Sequence, residues 1–174
     1  MAFPQELKQL YESSIEALKK DPTIGRGTAV TTVKLRSGMT FDIADGPWRL
    51  VADEMPGDGG AGLGPDSGVF GRAALGSCLA IGYVAWAALL EVPISDIEVL
   101  VETDYDAAAM LALDDTRPPG WGAVRYRVSI ESPAPETQVR ELVEKADRYS
   151  SILDCFRRAL PVERELKVAA PAGS

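Results

Sequence analysis

One long uncharged stretch limits how this chain can fold. Residues 73–90 are 18 consecutive positions without a charged side chain, bounded by Arg72 and Glu91. A run of this length is close to the minimum for a membrane-spanning helix. Alanine and glycine dominate it, however, and the remainder of the chain has the composition of a soluble domain. We therefore predict a buried core helix over about residues 67–91, and no association with a membrane.

Short β-branched or alternating runs on both sides of this helix predict strands. Three precede it, at about residues 28–35, 39–43 and 47–52, and three follow it, at about 97–101, 124–130 and 162–168. Helical periodicity predicts further helices at about 4–20, 135–149 and 151–160, whereas residues 106–120 fit a short helix or a loop. Strands come in runs instead of alternating strictly with helices, which predicts an α+β fold with antiparallel strands.

Composition excludes several kinds of function. The net charge of −8 disfavours binding to nucleic acid. The sequence has no histidine, which removes Ser-His-Asp and Cys-His catalysis, and its two cysteines are too few for an all-thiolate zinc site. We therefore predict neither a metal nor a cofactor. The first residues show no secretory leader, so we expect a cytoplasmic protein whose thiols rest in the reduced state.

Three segments carry a family resemblance: the glycine-rich loop at 56–65, the central helix around its cysteine, and the C-terminal helix start. They read Gly59-Gly60…Gly64-Pro65, Ala73-Ala74-Leu75-Gly76-Ser77-Cys78-Leu79-Ala80 and Ser150-Ser151-Ile152-Leu153-Asp154. With them the chain resembles the OsmC/Ohr family, the osmotically induced proteins and organic hydroperoxide resistance proteins. We divide the chain into an N-terminal helical extension (1–25), a single OsmC-like domain (26–168) and a flexible tail (169–174).

The resemblance implies an intertwined homodimer, in which strands of both chains wrap around long central helices and the active sites lie at the subunit interface. In the redox-active members, the cysteine of the central helix attacks a peroxide and a second cysteine resolves the sulfenic acid. An external dithiol is the reductant. Cys78 matches the peroxidatic cysteine and Arg36 the activating arginine, with Arg26 and Arg49 as alternatives. From the residues alone, a small buried apolar side chain is the better interpretation of Cys78, and it is the family resemblance that favours a reactive cysteine.

Two positions depart from the family pattern. The glutamate of the family falls ten residues before the cysteine, where this chain has Gly68. An alignment without gaps places Ser150 at the position of the resolving cysteine, five residues before Cys155. A shifted alignment instead makes Cys155 the resolving residue. The second departure leaves two alignments open. The distance between the two Cα atoms decides between them, because a disulfide needs Cα atoms within about 7 Å.

Aromatic side chains are the candidates for a substrate pocket, although core packing is the better explanation for any one of them taken singly. They are Tyr83 and Trp86 on the central helix, Trp48 on the third strand, and Tyr149 before Ser150. An apolar, aromatic pocket would suit an alkyl hydroperoxide. Two hypotheses follow: a thiol-dependent peroxide reductase that uses Cys78, Arg36 and Cys155, or a dimer of the same fold that binds a small apolar ligand without redox turnover.

Overall fold

A computed structural model describes residues 5–169 of the chain. The elements, in chain order, are α1 (Gln5–Lys20), β1 (Thr31–Ser37), β2 (Thr40–Asp45), β3 (Trp48–Ala52), α2 (Ser67–Leu90), β4 (Asp96–Asp104), α3 (Ala107–Met110), β5 (Ala123–Glu131), α4 (Glu136–Arg148) and α5 (Ser151–Arg157). Both sheets are antiparallel, which confirms the predicted α+β class. All but the first residue of the predicted tail lies outside the described residues.

The core is built around α2. The Asp66 side chain caps the start of the helix by accepting a 2.8 Å bond from the Val69 N–H. At the other end Glu91 takes a left-handed conformation, with φ of 56°, two residues before Pro93. One face is fully buried against α4, α5 and β4, and α1 packs on the same helix. The prediction of a long core helix is therefore confirmed.

The composition of α2 alone would also suit a membrane span. Its mean hydropathy reaches 1.9, yet a third of that window (33%) is already buried within the single chain. A face with small and apolar side chains remains exposed, with Ile81 at 64%. Since α1, α4, α5 and β4 pack against the other faces, α2 is the central helix of the domain, with one side uncovered among residues 5–169.

The antiparallel pair of β4 and β5 forms the sheet that packs on α2. Val99 pairs with Val128 in the middle of the register, and the inward side chains of both strands pack on the core. The outward face carries the ion pair between Arg125 and Asp104 at 2.6 Å. Apolar residues facing in and charged residues facing out explain the alternation seen in the sequence.

The sheet of β1, β2 and β3 has one apolar face that no other described element covers. Val33 pairs with Ile43, which pairs with Leu50, so the three side chains share a face. Val33 is 59% exposed and Leu50 is 49% exposed. The sheet makes no extensive contact with α2.

The carboxylate of Asp53 organises the glycine-rich loop between β3 and α2. It accepts a 3.0 Å bond from the Thr40 hydroxyl and backbone bonds from Glu54, Ala61 and Leu63. The backbone of Gly60 lies so close to Glu54 that a Cβ would stand 1.8 Å from its carbonyl oxygen. The loop thus needs glycine for close packing around a buried carboxylate, and no bound phosphate is required to explain it.

The predicted strand at 162–168 is wrong for the single chain. Residues 158–169 form no helix or strand, and Val162 is 91% exposed. A strand exists only where a neighbour supplies hydrogen bonds, and no strand of the described chain lies alongside this segment. Within residues 5–169, this segment therefore has no pairing partner.

Candidate functional site

Cys78 lies where α2 meets the start of α5. Its Sγ is 3.3 Å from the Ser150 Oγ and 3.7 Å from the Ser151 Oγ. The residue is half-buried and its thiol is free. The fold therefore brings together a cysteine and a serine pair that are more than 70 residues apart in the sequence.

Ser150 is held in place by the architecture of α5. It is the N-cap residue of that helix, and its Oγ accepts a 3.4 Å bond from the Leu153 N–H. Its own N–H donates to the Asp147 carbonyl at 3.3 Å, which closes the turn between α4 and α5. Only 6% of Ser150 is exposed, so its hydroxyl has little freedom to leave the thiol.

The surroundings of Cys78 favour its thiolate. Burial by itself raises the pKa of the thiol, since a charge is poorly solvated there. Hydrogen bonds from the Ser150 and Ser151 hydroxyls and from the N–H groups of Ser151 and Ile152 act in the opposite direction and outweigh burial, so the net pKa of Cys78 is lowered. The first N–H groups of a helix carry partial positive charge, which lowers cysteine pKa values. Among the described residues, the groups that lower it are all neutral.

A second polar cluster lies directly behind this site. The Tyr83 hydroxyl donates to Asp147 Oδ1 at 2.5 Å, and the Tyr126 hydroxyl donates to Oδ2 at 2.6 Å. Burial, and then the bond to the carboxylate, raise the pKa of Tyr126 to about 12 and that of Tyr83 further still. Both phenols thus stay protonated and act as permanent donors to Asp147.

Two stacked aromatic rings contact α2 at Gly71, two turns before Cys78. Trp121 and Phe156 stack with centroids 5.8 Å apart and planes within 4° of parallel. A Cβ at Gly71 would stand 2.6 Å from the Trp121 ring. Gly71 and Cys78 lie seven residues apart, on one face of the helix. The ring pair therefore forms an apolar wall on the same side of α2 as the thiol.

Arg36 lies on the outer sheet. Its Nε is 3.3 Å from Asp42 Oδ2, a second nitrogen bonds the other oxygen of that carboxylate, and the side chain is 43% exposed. This is a cross-strand ion pair on a sheet that does not pack on its own α2. Among the described residues the Arg36 guanidinium pairs with Asp42, and it is not one of the groups that lower the pKa of Cys78. The role of Arg36 as activator stays a prediction.

Cys155 and Gly68 lie apart from the contacts of Cys78. Cys155 is an exposed free thiol on α5, about 7.5 Å further along the helix axis than Ser150. At Gly68 a Cβ would stand 3.2 Å from the Arg72 Nη1. Ser150, and not Cys155, is therefore the residue beside the thiol, as the alignment without gaps predicts. The role of Cys155 as resolving residue stays a prediction.

The predicted pocket aromatics fall into three environments. Trp86 and Tyr149 lie together, with centroids 5.6 Å apart, and the Lys145 Nζ is 4.7 Å from the Trp86 ring centre. Tyr83 is fully buried and has the contacts of a core residue. Trp48 is 69% exposed on the outer sheet. Their part in substrate binding stays a prediction.

Several residues around the thiol were not identified from the sequence. The tertiary structure places three further residues near the thiol: Ser151, Asp147 and Trp121. One local signal was available, because a serine directly before an apolar helical run is a typical N-cap. Nothing local indicates which residue such a cap will face. Within residues 5–169, no group of three or more Cys, Asp or Glu side chains has the arrangement of a metal site.

Comparison with known proteins gives the family and the fold. The family described as "OsmC-like protein" matches residues 57–165. No curated protein sequence matches the chain. An OsmC-like protein from Mycoplasma pneumoniae shares the fold with a TM-score of 0.66 at 13% identity, covering 75% of this chain and 88% of that one.

Two further solved structures agree on the fold. An organic hydroperoxide resistance protein OsmC from Legionella pneumophila has a TM-score of 0.57 at 15% identity, covering 75% of this chain and 90% of that one. An organic hydroperoxide resistance protein from Elizabethkingia anophelis has a TM-score of 0.55 at 14% identity, covering 76% and 89%. With the family match extending over most of the chain and these structures sharing its architecture, this protein belongs to the OsmC-like family.

Proposed function

We propose that this protein is a thiol-dependent reductase of organic hydroperoxides, with Cys78 as the nucleophile. The observation that carries the proposal is the environment of the Cys78 sulfur. The sulfur is half-buried and lies next to the N-terminal end of α5. Hydrogen-bond donors around it lower the pKa of the thiol. Two proteins of the same fold are named organic hydroperoxide resistance proteins. A merely structural cysteine has no need of such donors.

The chemistry requires a thiolate and an exchangeable proton. The Cys78 thiolate attacks the terminal oxygen of the hydroperoxide, which breaks the O–O bond and forms an S–O bond. The alkoxide leaves and takes a proton, which gives the alcohol and the sulfenic acid of Cys78. The sulfur is oxidised by two electrons and the peroxide is reduced by two. The Ser150 hydroxyl, at 3.3 Å, can donate to the thiolate before the attack and to the sulfenic oxygen after it.

Regeneration needs two further thiols. An external dithiol condenses with the sulfenic acid to give a mixed disulfide and water, and its second thiol then releases Cys78 and leaves as a cyclic disulfide. Cys155 would form the first disulfide only if α5 moves, because Ser150 occupies the position beside the sulfur. We place this cycle in the cytoplasm, where dithiol reductants are available.

We further propose that the functional unit is a homodimer. Three surfaces are left uncovered among residues 5–169: the apolar face of the β1–β3 sheet, the exposed face of α2, and the segment at 158–169. Exposed apolar areas of this extent mark interaction surfaces. A second copy supplies all three partners at once, and it would place Arg36 of one chain within reach of the α2 helix of the other.

The decisive experiment measures loss of cumene hydroperoxide in the presence of dithiothreitol. The native protein should consume the hydroperoxide, and Cys78→Ser should not. Dimedone labelling, followed by mass spectrometry, should locate the sulfenic acid at Cys78. The matched control is Ser77→Ala, a neighbour on the same helix that does not touch the thiol. A Cys78 that remains a free thiol under excess hydroperoxide contradicts the proposal.

A second function is favoured by one observation. No guanidinium is among the described groups that lower the pKa of Cys78, and Gly68 replaces the carboxylate expected to hold one. A dimer that binds a small apolar ligand without redox turnover fits these departures. In that case the hydroperoxide assay shows no turnover, and a fluorescent apolar probe binds to the native protein and not to a monomeric variant.

A further inference from the structure

The carboxyl group of Asp147 joins three elements around the Cys78 site. Asp147 lies in the last turn of α4 and accepts the hydroxyls of Tyr83 from α2 and Tyr126 from β5. From α5, the charge of Arg157 faces both tyrosines. Each carboxylate oxygen thus has one short bond to a phenol. Such a cluster is more than packing requires, since apolar residues could fill the same volume.

This cluster is connected to the thiol at two points. On one side Tyr83 lies five residues after Cys78 on the same helix. On the other side the carbonyl of Asp147 accepts the N–H of Ser150, whose hydroxyl faces the thiol. Backbone and hydrogen bonds together therefore form a closed path. It runs from Cys78 along α2 to Tyr83, through Asp147 to Ser150, and back to the Cys78 sulfur.

We propose that Asp147 is the positioning residue of the Cys78 site, which fixes the Ser150–Ser151 turn at hydrogen-bond distance from the sulfur. The inference rests on the proposed function only in taking Cys78 as the reactive group, and its test uses no peroxide. A displacement of about 1 Å would move a hydroxyl from bonding distance to a contact of little value. Asp147 touches neither the sulfur nor any reacting atom, so it acts through Ser150.

The sign of the effect separates positioning from direct electrostatics. Replacing Asp147 with asparagine removes a negative charge from the neighbourhood of Cys78, which by itself would lower the pKa of the thiol. Loss of positioning weakens the donors at the sulfur, which raises that pKa. The two explanations therefore predict opposite shifts for one substitution.

The experiment follows alkylation of Cys78 by iodoacetamide from about pH 6 to about pH 10. Mass spectrometry of the peptides reports Cys78 and Cys155 separately, so Cys155 is an internal reference in every sample. In Asp147→Asn the midpoint for Cys78 should rise by about one pH unit, with no change at Cys155. The matched control is Asp154→Asn, which removes an exposed carboxylate of α5 that binds Arg158. In this control variant the alkylation midpoint of Cys78 should stay the same or fall.

A second variant covers the case in which Asp147→Asn does not fold. Tyr126→Phe removes one donor to the carboxylate and keeps the charge, and it should raise the Cys78 midpoint by a smaller amount. The inference is overturned if folded Asp147→Asn has a Cys78 midpoint that is unchanged or lower. If that variant does not fold, an unchanged Cys78 midpoint in Tyr126→Phe overturns it. If the midpoint rises but the native protein consumes no hydroperoxide, the positioning role is supported and the proposed reductase is not.

Discussion

The sulfur of Cys78 and the hydroxyl of Ser150 lie 3.3 Å apart, although 72 positions separate the two residues in the chain. This pairing sets the chemistry of the site. The thiol is hydrogen-bonded to the Ser150 hydroxyl, which cannot itself form a disulfide. The family resemblance expects a second cysteine at this position. The cap of a short helix thus faces the half-buried thiol of α2.

Removing that hydroxyl should raise the pKa of Cys78. A hydrogen bond to a charged group contributes about 1.5 kcal/mol, so Ser150→Ala should shift the alkylation midpoint upward by about one pH unit. Alkylation of Cys78 followed against pH measures this directly. Ser77→Ala is the matched control, because its hydroxyl bonds the Ala74 carbonyl and not the thiol. Equal midpoints in both variants would show that Ser150 is not a donor to the thiolate.

The thiolate should also make folding stability depend on pH. The pKa of Cys78 is lowered in the folded protein, relative to about 8.5 in an unfolded chain. Its contribution is therefore fully present above the unfolded pKa, and it is lost as the pH falls through the folded pKa. The free energy of unfolding of the native protein, minus that of Cys78→Ser, should increase from neutral pH to about pH 9.5. Urea titrations across this range test it, and a difference that shrinks with pH would reverse the sign assigned here.

Two glycines of α2 should respond in opposite ways to alanine. In Gly71→Ala the new Cβ would meet the Trp121 ring at 2.6 Å, so the stack with Phe156 must shift and the protein should lose about 1–3 kcal/mol of stability. At Gly82, apart from the backbone of the helix itself, no described atom lies within 4 Å of the added carbon. There the substitution should stabilise the helix by about 0.5–1 kcal/mol. Thermal unfolding measures both, and a stabilised Gly71→Ala would mean that Trp121 does not pack there.

A charge on the uncovered sheet face should break the proposed dimer. Leu35 is 57% exposed on the apolar face of β1, so Leu35→Lys would bury an unpaired ammonium group against the second chain. The variant should be monomeric by light scattering at concentrations where the native protein is a dimer. Lys34→Gln changes the neighbouring residue on the opposite face and should leave the mass unchanged. A native protein that is monomeric would remove the basis of this prediction.

Local patterns in the sequence determined the elements of this protein. The uncharged run gave α2, and alternation gave β4 and β5 because one face of each strand must leave water. The glycine-rich loop and the residues around Cys78 were sufficient to indicate the family. The sequence also placed Ser150 at the position beside the cysteine, through an alignment without gaps.

Only the tertiary structure decided which side chains meet. Asp147 receives hydroxyls from two elements that are distant in the chain, and no periodic pattern encodes that convergence. The segment at 162–168 has the pattern of a strand but pairs with nothing in residues 5–169, because hydrogen bonding between strands is a property of neighbours in space. Propensity and periodicity are local, whereas the pKa of Cys78 and the pairing of a strand depend on long-range packing.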